Sequence, residues 1–220
     1  VKNDIGDVLV FTDEEYIQTY SDVFLDLSGF TDTAEYFDCV TDSLKVQEKL
    51  YALSPYFIAN TLVGRRDYLP SGEWTIAAFL SASDSIKDGY ILNVNSRSFM
   101  QEILLMNRLG DYINGTENTF SSPEFASLLE YLGSFPEENQ VNLKSRDTAY
   151  MSGECLLKNT SISAVNLYLE EKMRFGVLEE DELFYIGYPN DSGTGTVSVN
   201  FGELFAVNRS SSVKDGAWEF

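Results

Sequence analysis

Apolar and polar residues alternate along the chain in segments whose lengths predict both strands and helices. The apolar run at residues 4–11 predicts a buried strand. The polar stretch at 13–20 predicts a helix, because Asp13 and the glutamates after it suit a helix N-terminus. A longer apolar run at 51–62 predicts a strand that is buried on both faces and interrupted at Pro55. The first part of the chain is therefore predicted to fold as strand, helix and strand.

Three helices are predicted in the middle of the chain. Apolar residues from Trp74 onward follow a helical stripe, and the three-to-four spacing at 98–109 predicts a helix that ends at Gly110. A third helix is predicted at 122–132, with Ser122 as its N-cap and a proline at its first position. The middle of the chain is therefore mainly helical.

The last third of the chain alternates short strands with one helix. A turn near Gly153 leads into a short strand, and a helix follows at 163–174, in which a glutamate at 170 stands four residues before an arginine. Short strands are predicted at 184–188 and over the alternating residues 197–202. This succession of helices and short strands predicts an α/β fold.

Charge excludes one large group of partners. The chain has 15 Lys and Arg against 35 Asp and Glu, a formal net charge of −20. Such a field repels phosphate backbones and anionic lipids, so nucleic acid is not an expected partner. The acidic run at 179–182 lacks the spacing of a calcium loop, and we interpret it as a solvated face.

The chemistry available to the chain is restricted because it contains no histidine. The commonest general base and the commonest zinc ligand are therefore missing, and we expect neither a cofactor nor a metal. Cys39 and Cys155 are interpreted as two buried free thiols, although the sequence alone does not settle whether they pair. A pair of carboxylates for glycoside hydrolysis stays open, since any of the acids could meet in space.

Aromatic residues are abundant, with 2 Trp, 13 Tyr and 15 Phe in 220 residues. Most of these rings are expected to fill the core. The remainder suit a sugar ligand, because sugar rings present apolar faces that stack on aromatic side chains while their hydroxyls bind polar groups.

Several segments together resemble the family of bacterial extracellular solute-binding proteins, the sugar-type group of ABC importers. They include DIGDVLVF, VFLDLSGF, KLYALSPYFIANTLVGRRDYL, SGEWTIAAFL, FSSPEFASLLEYL, YMSGECLL, GYPNDSGTG and the closing FGELFAVNRSSSVKDGAWEF. Each segment is weak alone, but their order is specific and covers nearly the whole chain. Proteins of that family are longer, so the resemblance implies that this chain is an internal piece.

The resemblance implies an α/β, two-lobed periplasmic-binding-protein-like fold of type II. Residues 1–56 would form part of the first lobe, residues 57–189 the second lobe, and residues 190–220 would return to the first. The ligand would be held in a cleft between the lobes. The family also implies an extracytoplasmic location, as a cell-surface lipoprotein or a periplasmic protein, although no basic-then-apolar signal segment opens this sequence.

The resemblance also implies which residues bind the ligand. In the first lobe these follow the first strand or lie on the segments that cross between lobes. In the second lobe they follow the strand after Gly153. The expected ligand-binding residues are Phe11, Asp13, Tyr56, Phe57, Asn159, Thr160, Ser161, Asn200 and Gly202.

The predicted function is that of a monomeric substrate-binding component of an ABC importer, which binds carbohydrate without changing it and delivers it to a membrane permease. Two alternatives from other classes stay open at this point. One is a hydrolase of glycans that uses a carboxylate pair. The other is an adhesive or scaffold protein of the cell surface, which would need no small ligand.

Overall fold

The computed structural model describes residues 6–30, 36–69, 71–114, 117–146, 148–178 and 182–219. The chain divides into two compact units. Unit 1 comprises Val1–Ile58 and Val199–Phe220, and unit 2 comprises Ala59–Ser198. The sequence-based boundaries, at 56/57 and 189/190, assign a shorter segment to the second lobe.

The described helices and strands follow one another in mixed order along the chain. They are β1 (Val8–Phe11), α1 (Glu15–Thr19), α2 (Asp38–Ser43), β2 (Lys45–Val46), β3 (Lys49–Leu50), β4 (Phe57–Arg65), α3 (Ile76–Ser85), β5 (Tyr90–Leu92), α4 (Arg97–Leu104), α5 (Leu109–Tyr112), β6 (Ile113–Asn114), β7 (Glu117–Asn118), α6 (Pro123–Ser134), β8 (Cys155–Ile162), α7 (Val165–Phe175), β9 (Leu183–Tyr185), β10 (Ser198–Phe201), β11 (Leu204–Val207) and α8 (Lys214–Glu219). The chain passes from unit 1 to unit 2 within β4 and returns to unit 1 at β10.

Unit 1 is built on the antiparallel pair of β1 and β11. Val8 lies opposite Val207, and Phe11 lies opposite Leu204. Its buried core gathers apolar side chains from short elements and from the loops between them, with Leu27 among the most completely buried. A second antiparallel pair, β2 with β3, closes a tight turn.

Unit 2 is built on a mixed sheet. Strand β8 pairs antiparallel with β4 on one side and parallel with β5 on the other, and β9 also pairs antiparallel with β4. Successive residues of a strand point to opposite faces, so Leu62 joins one core and Val63 joins another. The predicted burial of this strand on both faces is confirmed. The strand begins only at Phe57, however, so residues 51–56 are not part of it.

Local capping chemistry sets the ends of the longer helices. The Thr75 and Ser122 hydroxyls accept the backbone N–H groups of Ala78 and Phe125 at the starts of α3 and α6. The predicted cap and first-position proline of α6 are thus confirmed. Helix α7 ends at Gly176, whose φ of 65° is a left-handed conformation that glycine adopts at little cost.

The helix predicted at 98–109 is wrong in its second half. Helix α4 ends at Leu104, a 3-10 turn covers Met106–Arg108, and Gly110 lies inside α5 instead of ending a helix. The buried Arg108 guanidinium pairs with Asp111 and Asp191 and lies over the Tyr112 ring, and these contacts hold the chain in successive turns.

Two further expectations need correction. Both cysteines are free, but only Cys155 is buried, and Cys39 is exposed on α2. Arg174 forms its ion pair with Glu171, at 3.6 Å between Nε and Oε2, and not with Glu170, because position 171 faces the sheet. Residues 179–181 of the acidic run lie outside the described residues.

None of the described helices combines the length and the apolar sequence that crossing a bilayer requires.

Candidate functional site

The predicted residues after the first strand lie beside an aromatic cluster in unit 1. The half-buried Phe11 ring stacks on Phe24, with centroids 5.5 Å apart and an interplanar angle of 7°, and it contacts Tyr16 at 6.1 Å. The Asp13 carboxylate is exposed, and its Oδ1 accepts the Glu15 N–H at 3.0 Å. One carboxylate oxygen therefore orders the start of α1, and the other can accept a ligand hydroxyl.

Helix α1 and its C-cap residue add two tyrosines that were not among the predicted site residues. Tyr16 and Tyr20 are 45% and 48% exposed, and their ring centroids are 5.7 Å apart in an edge-on arrangement. Their spacing of four residues places both on one side of α1, where Tyr16 contacts Phe11 and Tyr20 contacts Tyr16. That spacing is visible in the sequence and could have indicated an aromatic surface.

Tyr56 and Gly202 are brought together in unit 1. The Gly202 N–H donates to the Tyr56 carbonyl at 3.5 Å, and the Tyr56 ring lies so close that a Cβ at position 202 would be 2.2 Å from it. The buried Ser54 Oγ lies 2.6 Å from the Tyr56 carbonyl oxygen and 2.9 Å from that of Glu203. The backbone of Tyr56 is thus fixed, although its ring is 50% exposed.

Phe57 and Asn200 occupy different settings in the same unit. Phe57 is half-buried and meets the exposed Phe37 ring edge-on, at 5.9 Å between centroids. Asn200 is an exposed residue of β10, two positions before Gly202. Phe57 therefore contributes to packing as well as to the surface, whereas the Asn200 side chain is open to solvent.

The three predicted residues of unit 2 lie in the middle of β8 and divide between the two faces of the sheet. On one face, the Asn159 Oδ1 accepts the Tyr188 hydroxyl at 2.8 Å, and the Ser161 hydroxyl donates to the Asn60 Oδ1 at 2.6 Å. Thr160 points to the other face and is 8% exposed. Strand alternation therefore prevents the three side chains from acting on one ligand surface.

Thr160 belongs to a buried polar network. Its hydroxyl donates to the Glu171 Oε1 at 2.9 Å and accepts from the Lys158 ammonium at 3.3 Å, and Lys158 also pairs with Glu171. These contacts satisfy the Thr160 hydroxyl inside the unit. The expected role of Thr160 in ligand binding stays a prediction. Its hydroxyl would have to exchange one of these hydrogen bonds to bind a ligand directly.

Burial also fixes the chemistry of Tyr188. Desolvation raises the pKa of this phenol to about 12, so it is neutral near pH 7 and donates its proton to Asn159. The Asn159 amide nitrogen remains to donate to a ligand.

Two described carboxyl groups have a clearly displaced pKa, and the direction is the same for both. A hydrogen bond from Ser28 lowers the pKa of Asp26, and the Arg65 guanidinium lowers the pKa of Asp67. The general acid of a glycosidase requires the opposite displacement. Among the described residues, no group of three Cys, Asp or Glu side chains is placed to hold a metal ion.

No protein-family model and no curated protein sequence matches this chain. Solved structures do resemble it. The sugar-binding protein MalE from Xanthomonas citri matches with a TM-score of 0.59 and 19% identity, over 98% of this chain and 60% of that one. The ABC substrate-binding protein Lmo0181 from Listeria monocytogenes, in complex with cycloalternan, matches with a TM-score of 0.55 and 17% identity, over 99% and 60% of the two chains.

A third similar structure is an ABC transporter solute-binding protein from Thermotoga lettingae bound with alpha-D-tagatose, with a TM-score of 0.56 and 13% identity over 97% of this chain and 61% of that one. At these identities the similarity shows the fold. The predicted α/β, periplasmic-binding-protein-like fold is confirmed, and the chain spans about 60% of the length of these structures.

Proposed function

We propose that this chain is the substrate-binding part of an ABC importer, that it binds a carbohydrate between its two lobes, and that it delivers the sugar to a membrane permease. The observation that supports the proposal most directly is the fold. Structures with TM-scores of 0.55 to 0.59 include a sugar-binding protein and two ABC binding proteins in complex with cycloalternan or tagatose. The proposal places the protein outside the cytoplasm, acting as a monomer.

The surface chemistry of unit 1 supports a carbohydrate as the ligand. Tyr16, Tyr20 and Tyr56 are each about half exposed, and the exposed Asp13 carboxylate lies at the start of the helix that carries Tyr16. Aromatic faces stack on the apolar side of a sugar ring, and carboxylate oxygens accept its hydroxyls. Binding of this kind needs no cofactor and no covalent step.

The ligand would be bound more tightly by one arrangement of the two lobes than by others. A ligand shifts a conformational equilibrium only through its different affinities for the two states. In this proposal the permease recognises the ligand-bound arrangement, so transport depends on binding and not on chemistry.

A thermal-shift screen of the chain against neutral mono- and oligosaccharides tests the proposal. A ligand that binds only the folded state adds RT ln(1 + [L]/Kd) to its stability. We expect a saturable rise in Tm with at least one sugar, and that sugar should be unchanged after long incubation. Products in the incubation would favour the glycan hydrolase instead.

A pair of matched variants localises the binding. Tyr56→Ala removes an aromatic face that is 50% exposed in unit 1, and Phe120→Ala removes one that is 42% exposed in unit 2. We expect Tyr56→Ala to weaken sugar binding about fivefold or more, since stacking on an aromatic ring contributes on the order of 1 kcal/mol or more. Phe120→Ala should leave the affinity unchanged. Equal affinities for the two variants would contradict the role assigned to Tyr56.

A further inference from the structure

Unit 2 contains a polar cavity of about 420 Å³ that the proposed function does not use. Three amide side chains and three basic side chains line its wall, namely Asn93, Asn139, Asn142, Arg146, Lys158 and Arg174. None of the residues lining the cavity is an aspartate or a glutamate. In a chain with 35 acidic and 15 basic residues, three cations around one cavity are a local reversal of charge.

The cations are only partly neutralised by their neighbours. Lys158 and Arg174 both pair with Glu171, whose side chain is 7% exposed. No ion pair or side-chain hydrogen bond joins Arg146 to the part of the chain that the structure describes. One carboxylate thus pairs with two of the three cations, and the described lining of the cavity retains an excess of positive charge.

The buried glutamate is itself incompletely bonded. Its Oε1 accepts hydrogen bonds from Lys158 and Thr160, but its buried Oε2 has no hydrogen-bond partner and lies 3.6 Å from the Arg174 Nε. A buried oxygen without a hydrogen bond is costly. This geometry leaves the guanidinium of Arg174, which is 41% exposed, able to bond elsewhere.

Neutral donors complete the wall. The Asn139 Oδ1 already accepts the Asn95 and Val141 N–H groups at 3.0 and 3.2 Å, which leaves its NH₂ group as the donor. The segment is held further by the Glu154 carboxylate, which accepts the Lys144 N–H at 2.7 Å. The donors are therefore positioned before any ligand arrives, which reduces the entropy lost on binding.

We propose that this cavity binds a sugar acid the size of a monosaccharide, with its carboxylate at Arg146 and Arg174 and its hydroxyls at the asparagine amides. Guanidinium groups bind carboxylates through paired, charge-assisted hydrogen bonds. The volume lies within the range of about 300–1,000 Å³ typical of small-molecule sites. The site lies within unit 2 and does not depend on the proposed function.

Isothermal titration calorimetry of the chain at low ionic strength tests the site. The probes are D-glucuronate, D-galacturonate, neutral D-glucose and inorganic phosphate. We expect saturable binding of at least one uronate, about tenfold or more tighter than glucose and than phosphate. Binding of neither uronate, or equal binding of glucose, would overturn the proposal. Equal binding of phosphate would show a simple anion site and would also overturn it.

Matched charge variants test the location. Arg146→Gln removes an exposed cation of the cavity, and Arg209→Gln removes an exposed arginine of unit 1 with the same change in net charge. We expect Arg146→Gln to weaken uronate binding about tenfold or more, because a charge-assisted pair is lost, and Arg209→Gln to change it less than about twofold. Equal losses in both variants would mean that bulk charge, and not this cavity, attracts the ligand.

The two proposals fail separately. Neutral-sugar binding that Tyr56→Ala weakens and Arg146→Gln leaves intact belongs to the proposed function. Uronate binding with the opposite pattern belongs to the cavity. A chain that binds no neutral sugar could still bind a uronate, and the converse also holds.

Discussion

The two units of this protein differ in the length of their helices and in the kind of apolar side chain that they expose. In unit 2 the sheet is covered on both faces by apolar cores, and its longest helices run for 10 to 12 residues. The described helices of unit 1 have five or six residues. Several of its aromatic rings are also exposed, among them Phe37 at 69%. Among the described residues, unit 2 also exposes large apolar side chains, such as Leu178 at 86%, but these are mostly aliphatic, whereas those of unit 1 are mostly aromatic rings that can contact a ligand or a partner.

The same contrast holds for ionisable groups. Among the described residues, each tyrosine or cysteine whose pKa is raised belongs to unit 2, and burial is the largest cause for all of them. These groups are Tyr112, Tyr131, Tyr150, Cys155, Tyr185 and Tyr188. The folded state of unit 2 therefore favours the neutral forms of these groups, and its free energy of unfolding should depend on pH where they ionise.

The largest expected effect is the loss of a core ring from unit 2. Phe79 is fully buried and meets Trp74 edge-on at 5.8 Å, whereas Phe37 of unit 1 is 69% exposed. We expect Phe79→Ala to lower the free energy of unfolding of unit 2 by about 4 kcal/mol, because a cavity is left, and Phe37→Ala to cost under about 1 kcal/mol.

Urea unfolding followed by tryptophan fluorescence measures this difference. The chain has two tryptophans, Trp74 in unit 2 and Trp218 in unit 1, so Trp218→Phe leaves a reporter in unit 2 alone. Similar costs for Phe79→Ala and Phe37→Ala, each followed in its own unit, would contradict the view that the buried ring of unit 2 contributes to stability and the exposed ring of unit 1 does not.

The second effect concerns the charge buried in unit 2. Glu171→Gln keeps the shape of the side chain but leaves Lys158 and Arg174 without their anion, so we expect it to destabilise unit 2 by about 3 kcal/mol. Glu170→Gln changes the exposed neighbour and should cost less than about 0.5 kcal/mol. The same fluorescence measurement compares the two, and an equal effect would mean that the network contributes nothing.

Elements that are set by neighbouring residues were predicted better than elements that depend on contacts with distant segments. The start of α6 was predicted correctly because its cap, Ser122, and its first proline are adjacent in the chain. Gly110 was misassigned as a helix end because the chain continues to turn around Arg108, which pairs with Asp191 in a distant segment. No local pattern could have shown that contact.

The candidate site shows the same limit. The resemblance selected Asn159, but its partner Tyr188 comes from another strand-turn segment and was not predicted. The cations of the cavity at Arg146, Lys158 and Arg174 carry no shared motif, because a loop, a strand and a helix bring them together. Side chains that meet only through the fold leave no spacing in the sequence.

The third effect is a loss of stability in alkaline solution, confined to unit 2. Burial raises the pKa of the Cys155 thiol from an ordinary value of 9.0 to about 12. Between these values the unfolded chain releases the proton and the folded chain keeps it, so the stabilisation is present below pH 9 and is lost as the pH rises. Halfway through this interval the thiol alone removes about 2 kcal/mol.

Unfolding free energies measured across this pH range check the prediction. Cys155→Ala should flatten the decline reported by Trp74, whereas Cys39→Ala, which removes the exposed thiol, should leave it unchanged. Above pH 10 the buried tyrosines add losses in the same direction, since burial raises the pKa of Tyr188 to about 12. The prediction fails if Cys155→Ala declines as steeply as the parent chain.

The smallest expected effect concerns the contact between Gly202 and the exposed Tyr56 ring in unit 1. A Cβ at position 202 would lie 2.2 Å from the Tyr56 ring, but that ring is 50% exposed and can swing toward solvent. We therefore expect Gly202→Ala to cost only about 1 kcal/mol. In a Tyr56→Ala background the same substitution should cost close to nothing, because the three atoms nearest to the added Cβ all belong to that side chain. A double-mutant cycle on the free energy of unfolding, reported by Trp218 in a Trp74→Phe background, isolates this coupling. A cost that persists without the ring would mean that the backbone at Gly202, and not Tyr56, sets the local packing.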